Sequence, residues 1–525
     1  MKRKIIYMLL LAGMTQSACQ KDFLNTKPTD TYANGSLWKS ASDAQAALNG
    51  CYAGWEGDYN LLYMDAASDN SFSQWYWDNY QHIGNGTASA SDNNTQNRWD
   101  YKTIQRVNWF MENIDQTKMD DALKLRFKSE ARFLRAYQYF TMTQLYGDVP
   151  LVTKTLTTDE AAKLTRTSVT AVRQFVYDEL KDIAPNLPVS YTGSDVGRIT
   201  QGAALSLKAR MELYDKKYAD CITDCKTIMG LGYQLYPSYQ DLFRINYENN
   251  SEVILDVQYK ANDVPNGDIG IMPSSGFGGW ASLSPTQALV DAYEMSNGKT
   301  IDDPTSGYDE NEPYKNRDPR LTASVVCPGQ KYEGVFYNSI EAGSADYYNG
   351  NNNSPTGYIE KKFTAFLSDY PDMWNTGLNM IVIRYAEVLL TYAEAQIESG
   401  VMDGTVYDAI DAVRVRAGMP KVDRTVYSSL DKLRTLVRRE RRVELALEGL
   451  RWYDVKRWQI GDDVRVGPVY GTRLGTVDKT TGALSLTGNH VLVEQRLFNP
   501  KRDYLWPVPQ KEIDLNKNLS QNPGY

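Results

Sequence analysis

The side chains best suited to chemistry are gathered between positions 69 and 80, where Asp69, Asn70, Gln74, Trp75, Trp77, Asn79 and Tyr80 lie together. Flat rings with polar edges, interleaved with amides and carboxylates, recognise rather than react. A ring face covers an apolar ligand face while the polar groups take hydrogen bonds around it. In an extended segment Trp75 and Trp77 share one face. The same alternation would also serve to pack the loop onto a scaffold. A second patch runs from Ser274 to Trp280 and carries Phe277 and Trp280 among Gly276, Gly278 and Gly279. Those glycines permit a turn that thrusts Trp280 outward, close backbone packing being their rival use. Tyr347, Tyr348 and Trp374, in a Gly/Asn-rich stretch, are further candidates.

Covalent chemistry is poorly provided for. With only 2 histidines, His82 and His490, a histidine metal cluster is excluded, and a Ser/Cys–His nucleophile would depend on one loop-like position. Cys51, Cys221, Cys225 and Cys327 are too few and scattered for a disulfide framework. Cys221 and Cys225 read as small packing residues of a helix. The Asp302–Asp303 turn lacks EF-hand spacing, so a structural calcium ion is conceivable but not indicated, and no metal or cofactor is called for.

The elements that must position these residues are mostly helical. Apolar residues recur at helical spacing over Ala122–Tyr146, Ser168–Ile183, Thr200–Asp215, Tyr218–Met229, Ile383–Gly400 and Val406–Gly418, and a long final run covers Leu430–Trp458. Alanines at 203, 204, 209 and 219, and at 386, 393, 395, 409 and 412, suit close helix approach. Antiparallel pairs of about 34 residues read as tetratricopeptide-like units, with an ordinary α-helical domain as the alternative because long insertions interrupt the pairs. The fold class is therefore mainly α. Residues 52–101 and 259–380 lose this periodicity and are rich in Gly, Asn, Asp, Ser and aromatics. They form an irregular lobe on a helical scaffold drawn from about 20–51, 102–258 and 381–525. The run Arg438–Arg442, with Glu444 and Glu448 nearby, could look like a basic patch, but its spacing sets Arg441 beside Glu444, and Glu448 beside Glu444 and Trp452, across successive helical turns, so it is expected to be a structural ion network.

The chain begins with Lys2, Arg3 and Lys4, an apolar stretch Ile5–Ala12, and Ser17–Ala18 before Cys19. That is the grammar of a lipoprotein signal peptide over residues 1–18 with lipidation at Cys19, Gln16 being its one departure and an ordinary secretory leader with an incidental cysteine the alternative. The apolar run is shorter than the roughly 20 residues a spanning helix needs, so contact with the membrane is expected by lipid anchor only. Residues 19–525 then form a single tethered body. A net charge of −8 gives no footprint for nucleic acid and favours a neutral ligand. Tyr at 37 and Trp at 11 together outweigh Phe at 13, which suits partly wet aromatic surfaces, although helical repeat packing also consumes tyrosines and composition alone does not decide between them.

Several motifs together make a specific signature. They are Cys19 to Leu24 with Pro28, Trp38 to Tyr52, Glu130 to Ala136 leading to Tyr146–Pro150, Arg384 to Leu390 with Tyr392–Ala395, and Arg414 to Gly418. Glu440 to Leu445, Glu448 to Asp454, Arg457–Trp458, Leu505 to Pro509 and Asn522 to Tyr525 complete it. The chain thereby resembles the SusD/RagB family of outer-membrane lipoproteins from Bacteroidetes. The resemblance implies a tetratricopeptide-like scaffold with an irregular ligand-binding lobe. It implies a cell-surface protein without catalytic activity that captures oligosaccharide or polysaccharide as a lid on a SusC-like TonB-dependent transporter. In such proteins ligand aromatics come from the loop after the first helical segment and from the central insertion, where Trp75, Trp77, Tyr80, Phe277, Trp280, Tyr347, Tyr348 and Trp374 lie. Two alternatives stand beside this reading. One is a glycoside hydrolase using paired carboxylates, for which Asp65, Asp69 and Asp78 are available. The other is a scaffold that binds only its transporter.

Overall fold

A computed structural model describes residues 38–78, 80–92 and 96–525. The leader, Cys19 and Asn79 lie outside the described residues.

The helices of eight or more residues are α1 (Ala41–Tyr52), α2 (Lys102–Asn113), α3 (Asp121–Tyr146), α4 (Val169–Ile183), α5 (Gln201–Tyr214), α6 (Tyr218–Met229), α7 (Tyr385–Glu398), α8 (Gly404–Arg416), α9 (Leu430–Glu444) and α10 (Arg451–Trp458). Side-chain caps start many of them. Asp120 accepts from the Leu123 amide to open α3, and Ser168, Thr200 and Ser429 do the same for α4, α5 and α9. The α3 helix stops where Gly147 takes a φ of 73°, a left-handed conformation that costs glycine little.

Successive helices pack as antiparallel neighbours: α3 on α4, α5 on α6, α7 on α8. The α6–α7 contact continues the stack although residues 230–384 intervene, so the insertion loops out from an unbroken row of helices. Ala203, Ala204 and Ala209 on α5, and Ala386, Ala393 and Ala395 on α7, are buried and permit this close approach, whereas Ala219 and Ala412 are exposed and do not. The largest core cluster takes in α3, where Phe133, Leu134, Tyr139, Met142 and Leu145 are fully enclosed, and two smaller clusters lie apart from it. The mainly α, tetratricopeptide-like expectation is borne out.

The run Leu430–Trp458 is not one helix. It breaks between α9 and α10, where Leu447 and Gly449 both adopt positive φ. Gly449 sits so close to the backbone of Leu61 that a Cβ there would lie 2.5 Å from the Leu61 carbonyl oxygen, and its amide donates to the Asp65 carboxylate at 2.9 Å. The kink lets the irregular lobe seat its backbone against the scaffold.

Strands of three or more residues are few: β1 (Ser71–Ser73), β2 (Val253–Val257), β3 (Leu283–Pro285), β4 (Met380–Arg384), β5 (Gly467–Val477) and β6 (Leu484–Arg496). They pair antiparallel as β1–β3, β2–β4 and β5–β6. The long β5–β6 hairpin lies within the stretch 381–525 that was expected to be helical scaffold. Its alternation Leu484, Ser485, Leu486, Thr487 is a strand signal at period 2.

The arginine run on α9 is engaged in ion pairs, but with tertiary partners rather than the neighbouring helical turns. Arg441 pairs with Asp454 and Glu394, Arg439 with Glu294, and Arg438 with Glu398. Glu444 receives Arg384 at 2.7 Å and Arg320 at 2.9 Å, together with Arg416. Glu448 receives Lys362 at 2.7 Å. Burial would raise the Glu444 carboxyl, yet Arg416, Arg384 and Arg320 hold it well below the usual range. Burial pulls the Lys362 ammonium down to about 8 against the attraction of Glu448.

Candidate aromatic recognition site

The site begins with a short piece of sheet. Strands β1 and β3 register Ser71 with Pro285 and Ser73 with Leu283, and the ladder extends through the Gln74 amide, which donates to Ser282 O at 2.9 Å. Segments about two hundred residues apart in sequence are thereby laid side by side. Beyond Gln74 the chain turns through a short 3-10 helix, Tyr76–Asp78, and its indoles come to lie outside the sheet.

Trp75 is half-buried and Trp77 is 55% exposed, and their rings stack face to face at 4.8 Å and 8°. Tyr76, 68% exposed, stands edge-on to Trp77 at 5.2 Å. On the β3 side Trp280 is 48% and Trp374 37% exposed, with ring centres 4.7 Å apart and planes tilted by 50°. Gly279 lies so close to Pro273 that a Cβ would sit 2.2 Å from its carbonyl oxygen, and Gly278 has φ 83°, so this turn needs glycine to present Trp280. Trp374 rests on Gly270, where a Cβ would fall 2.5 Å from the indole ring. Gln74 bridges the two pairs by donating to Trp280 O at 3.3 Å.

Next to the stacked pair is an open cleft of about 390 Å³. Its walls are Gln74 and Trp75, the loop Tyr348–Asn352 with Pro355, and Val491–Val493 of β6. Tyr348 is held edge-on to Tyr347 at 4.8 Å, and both are half-buried. None of the lining residues carries a charge.

Four expected contact residues lie elsewhere. Asp69 is 6% exposed and accepts a bidentate pair from Arg451 at 2.8 and 3.0 Å and a further ion pair from Arg442 at 2.8 Å. Burial alone would raise its carboxyl, but the two guanidiniums hold it well below the ordinary carboxylate range. Asn70 is fully buried, donating to Asp65 at 3.1 Å and accepting from Arg442 Nε at 2.9 Å. Tyr80 is fully buried against Tyr59, Tyr63 and Trp506. Phe277 is half-buried, edge-on to Tyr332 at 4.9 Å in a small secondary core. Asp69 and Asn70 therefore bolt the lobe to α9 and α10, while Tyr80 and Phe277 are packing residues.

Other carboxyls stand behind the rings. Asp78 accepts from Tyr63 at 2.9 Å and Tyr59 at 3.2 Å, and burial raises it. Asp268 is pushed up to about 7 by burial and then by the charges of Asp58 and Asp78. Among the described residues no group of three or more His, Cys, Asp or Glu has metal-holding geometry. Residues missed by sequence reasoning are Tyr76, Asn349, Asn351, Asn352 and Leu492. Tyr76 lay in plain view beside Trp75, and the asparagines were visible as a Gly/Asn-rich loop. Nothing local marks Leu492. An apolar cavity of about 350 Å³ between α2 and the short helix Gln510–Leu515, lined by Tyr101, Ile104, Val152 and Leu519, shares no residue with the cleft.

Helical hairpins thus carry two indole pairs with open ring surface beside an uncharged cleft, the makings of a recognition surface, and among the described residues no helix is long and apolar enough to cross a membrane. The SusD family model matches residues 247–525, and a model described as "Starch-binding associating with outer membrane" matches residues 10–213. The chain belongs to the SusD family. It is similar to a SusD-like protein of Bacteroides fragilis, with 32% identity, a TM-score of 0.82 and coverage of 95% of this chain and 100% of that one. A SusD-like carbohydrate binding protein of the same species aligns with 31% identity and a TM-score of 0.82 over 92% of this chain and 99% of its own. The starch-binding protein SusD of Bacteroides thetaiotaomicron is 25% identical over 92% of this chain and 88% of that protein.

Proposed function

We propose that this protein is a cell-surface glycan-binding lipoprotein, tethered through Cys19 to the outer membrane, that captures a neutral oligosaccharide or polysaccharide and passes it to a SusC-like TonB-dependent transporter. The observation that carries the reading is the joining of the Trp75–Trp77 stack to the Trp280–Trp374 pair through β1–β3. Sugar rings present flat C–H faces ringed by hydroxyls, and the arrangement offers indole faces flanked by Gln74 and the Asn349–Asn352 amides. The contact residues are Trp75, Trp77, Trp280, Trp374, Tyr76, Tyr348 and Gln74.

Support also comes from relatives whose names state starch binding, carbohydrate binding and association with the outer membrane. Capture without hydrolysis is favoured by the carboxyls Asp65, Asp69 and Asp78, which are buried and hydrogen-bonded instead of lining the cleft. Stacking and neutral hydrogen bonds of about 1 kcal/mol each suit reversible holding.

The test is affinity electrophoresis against a panel of polysaccharides, with Trp77→Ala and Trp280→Ala, alongside assay of the same mixtures for new reducing ends. Retention that falls in both variants supports the reading. Turnover, or retention indifferent to both indole pairs, overturns it.

A further inference from the structure

The cleft beside Trp75 has walls of three different characters. Trp75 and Tyr348 contribute aromatic surface. The loop Asn349–Asn352 contributes amides, and no residue of the described chain engages the side chains of Asn349, Asn351 or Asn352 in a hydrogen bond. That loop is held in shape from behind. The Asn352 carbonyl accepts from the Ser275 amide at 3.0 Å, Asn352 takes φ 58°, and buried Asn353 donates to Ala345 O at 2.8 Å and Tyr347 O at 3.0 Å. The third wall, Val491–Val493 of β6, is aliphatic, and Leu492 is left 55% exposed.

An ordinary hydroxylated sugar would use the rings and the amides but leave the aliphatic wall wet. A 6-deoxy sugar would place a methyl on that wall, but its hydroxyls offer the amides only single-atom contacts and not the paired C=O and N–H that complement a carboxamide. An acetamido group does both: its methyl is apolar, while its C=O accepts from and its N–H donates to carboxamide side chains. Its neutrality also matches walls without charge. We infer that the cleft between Trp75 and β6 is a subsite for an N-acetylated hexose, its pyranose face on Trp75 and Tyr348, its acetamide between Asn349–Asn352 and Val491–Val493. This deepens the glycan-binding reading and rests on it.

The test is saturation-transfer NMR on the intact protein, which reads monosaccharides directly and so does not depend on linkage. The probes are N-acetylglucosamine against glucose, N-acetylgalactosamine against galactose, and L-fucose. The two acetylated probes also separate glycans built on each epimer at C4. The acetamide methyl is expected to be the most strongly saturated group, and the acetylated sugar to bind at least tenfold more tightly than its parent. Leu492→Ser and Asn351→Ala, both at exposed positions, are expected to reduce that methyl signal while thermal unfolding stays unchanged. Equal signals from acetylated and parent sugars, a stronger response from fucose, or indifference to both variants overturns the inference. If polysaccharide retention still depends on Trp77, the acetamido subsite alone falls; if no glycan is retained, the parent reading falls with it.

Discussion

Asp69→Asn distinguishes a residue that looks like a sugar contact from one that fastens the lobe. The substitution keeps the shape and removes one negative charge facing two buried guanidiniums, Arg451 at 2.8 and 3.0 Å and Arg442 at 2.8 Å. Breaking a buried pair from one side costs about 3–5 kcal/mol, because an uncompensated charge stays in the interior. A chain of this length unfolds with an entropy of roughly 1 kcal/mol/K, so the melting temperature is expected to fall by about 3–5 °C. The effect has a pH signature. The carboxyl is held below its unfolded value of about 3.9, so its stabilisation is complete above that pH and is lost as the pH falls toward the folded value. Wild type and variant are therefore expected to differ at pH 7 and to converge in strong acid. Calorimetry at several pH values, run with affinity gels, measures both. An unchanged melting temperature with lost glycan retention would refute the assignment of Asp69 to structure.

Trp77→Ala, at a 55% exposed ring, is expected to weaken glycan binding by about 1–2 kcal/mol, roughly 5–30-fold by titration calorimetry, with melting unchanged. Trp77→Phe is expected to recover part of that loss. Gly279→Ala drives a methyl to 2.2 Å from Pro273 O, so the turn must shift, and quenching of Trp280 fluorescence by glycan is expected to diminish. Asp268, pushed up to about 7, holds a proton in the folded state that the unfolded chain gives up near pH 4, so its contribution to stability declines as pH rises between those values. Asp268→Asn is expected to raise the melting temperature more at pH 8 than at pH 5, and the opposite order would contradict the clustering of Asp268 with Asp58 and Asp78.

The helical scaffold was legible because its determinants are local. Apolar spacing, a capping Ser, Thr or Asp, and a terminal glycine such as Gly147 lie within a few residues of the helix they define. The site was legible only in part because the fate of each side chain in the patch depends on partners far along the chain. Asp69 and Trp77 are eight positions apart and looked alike as candidates. One faces inward because Arg442 and Arg451 await it; the other faces outward because the β1–β3 ladder ends at Gln74. The α9 arginines are similar: their charge was readable, but not that Glu294, Glu394 and Asp454 rather than near neighbours would receive them. The β5–β6 hairpin carried an alternating signal that was overshadowed by the helices before it.

The kink at Gly449 brings its amide to Asp65, and Arg442 and Arg451 on either side of that kink reach Asp69. The clamp from α9 and α10 thus ends at residue 70, while the displayed rings begin at residue 75, beyond the β1–β3 ladder and on a stretch that the clamp does not touch. Exchange of those rings for others leaves the rivet undisturbed, so a lineage can retune what the shelf holds without renegotiating how the shelf is mounted.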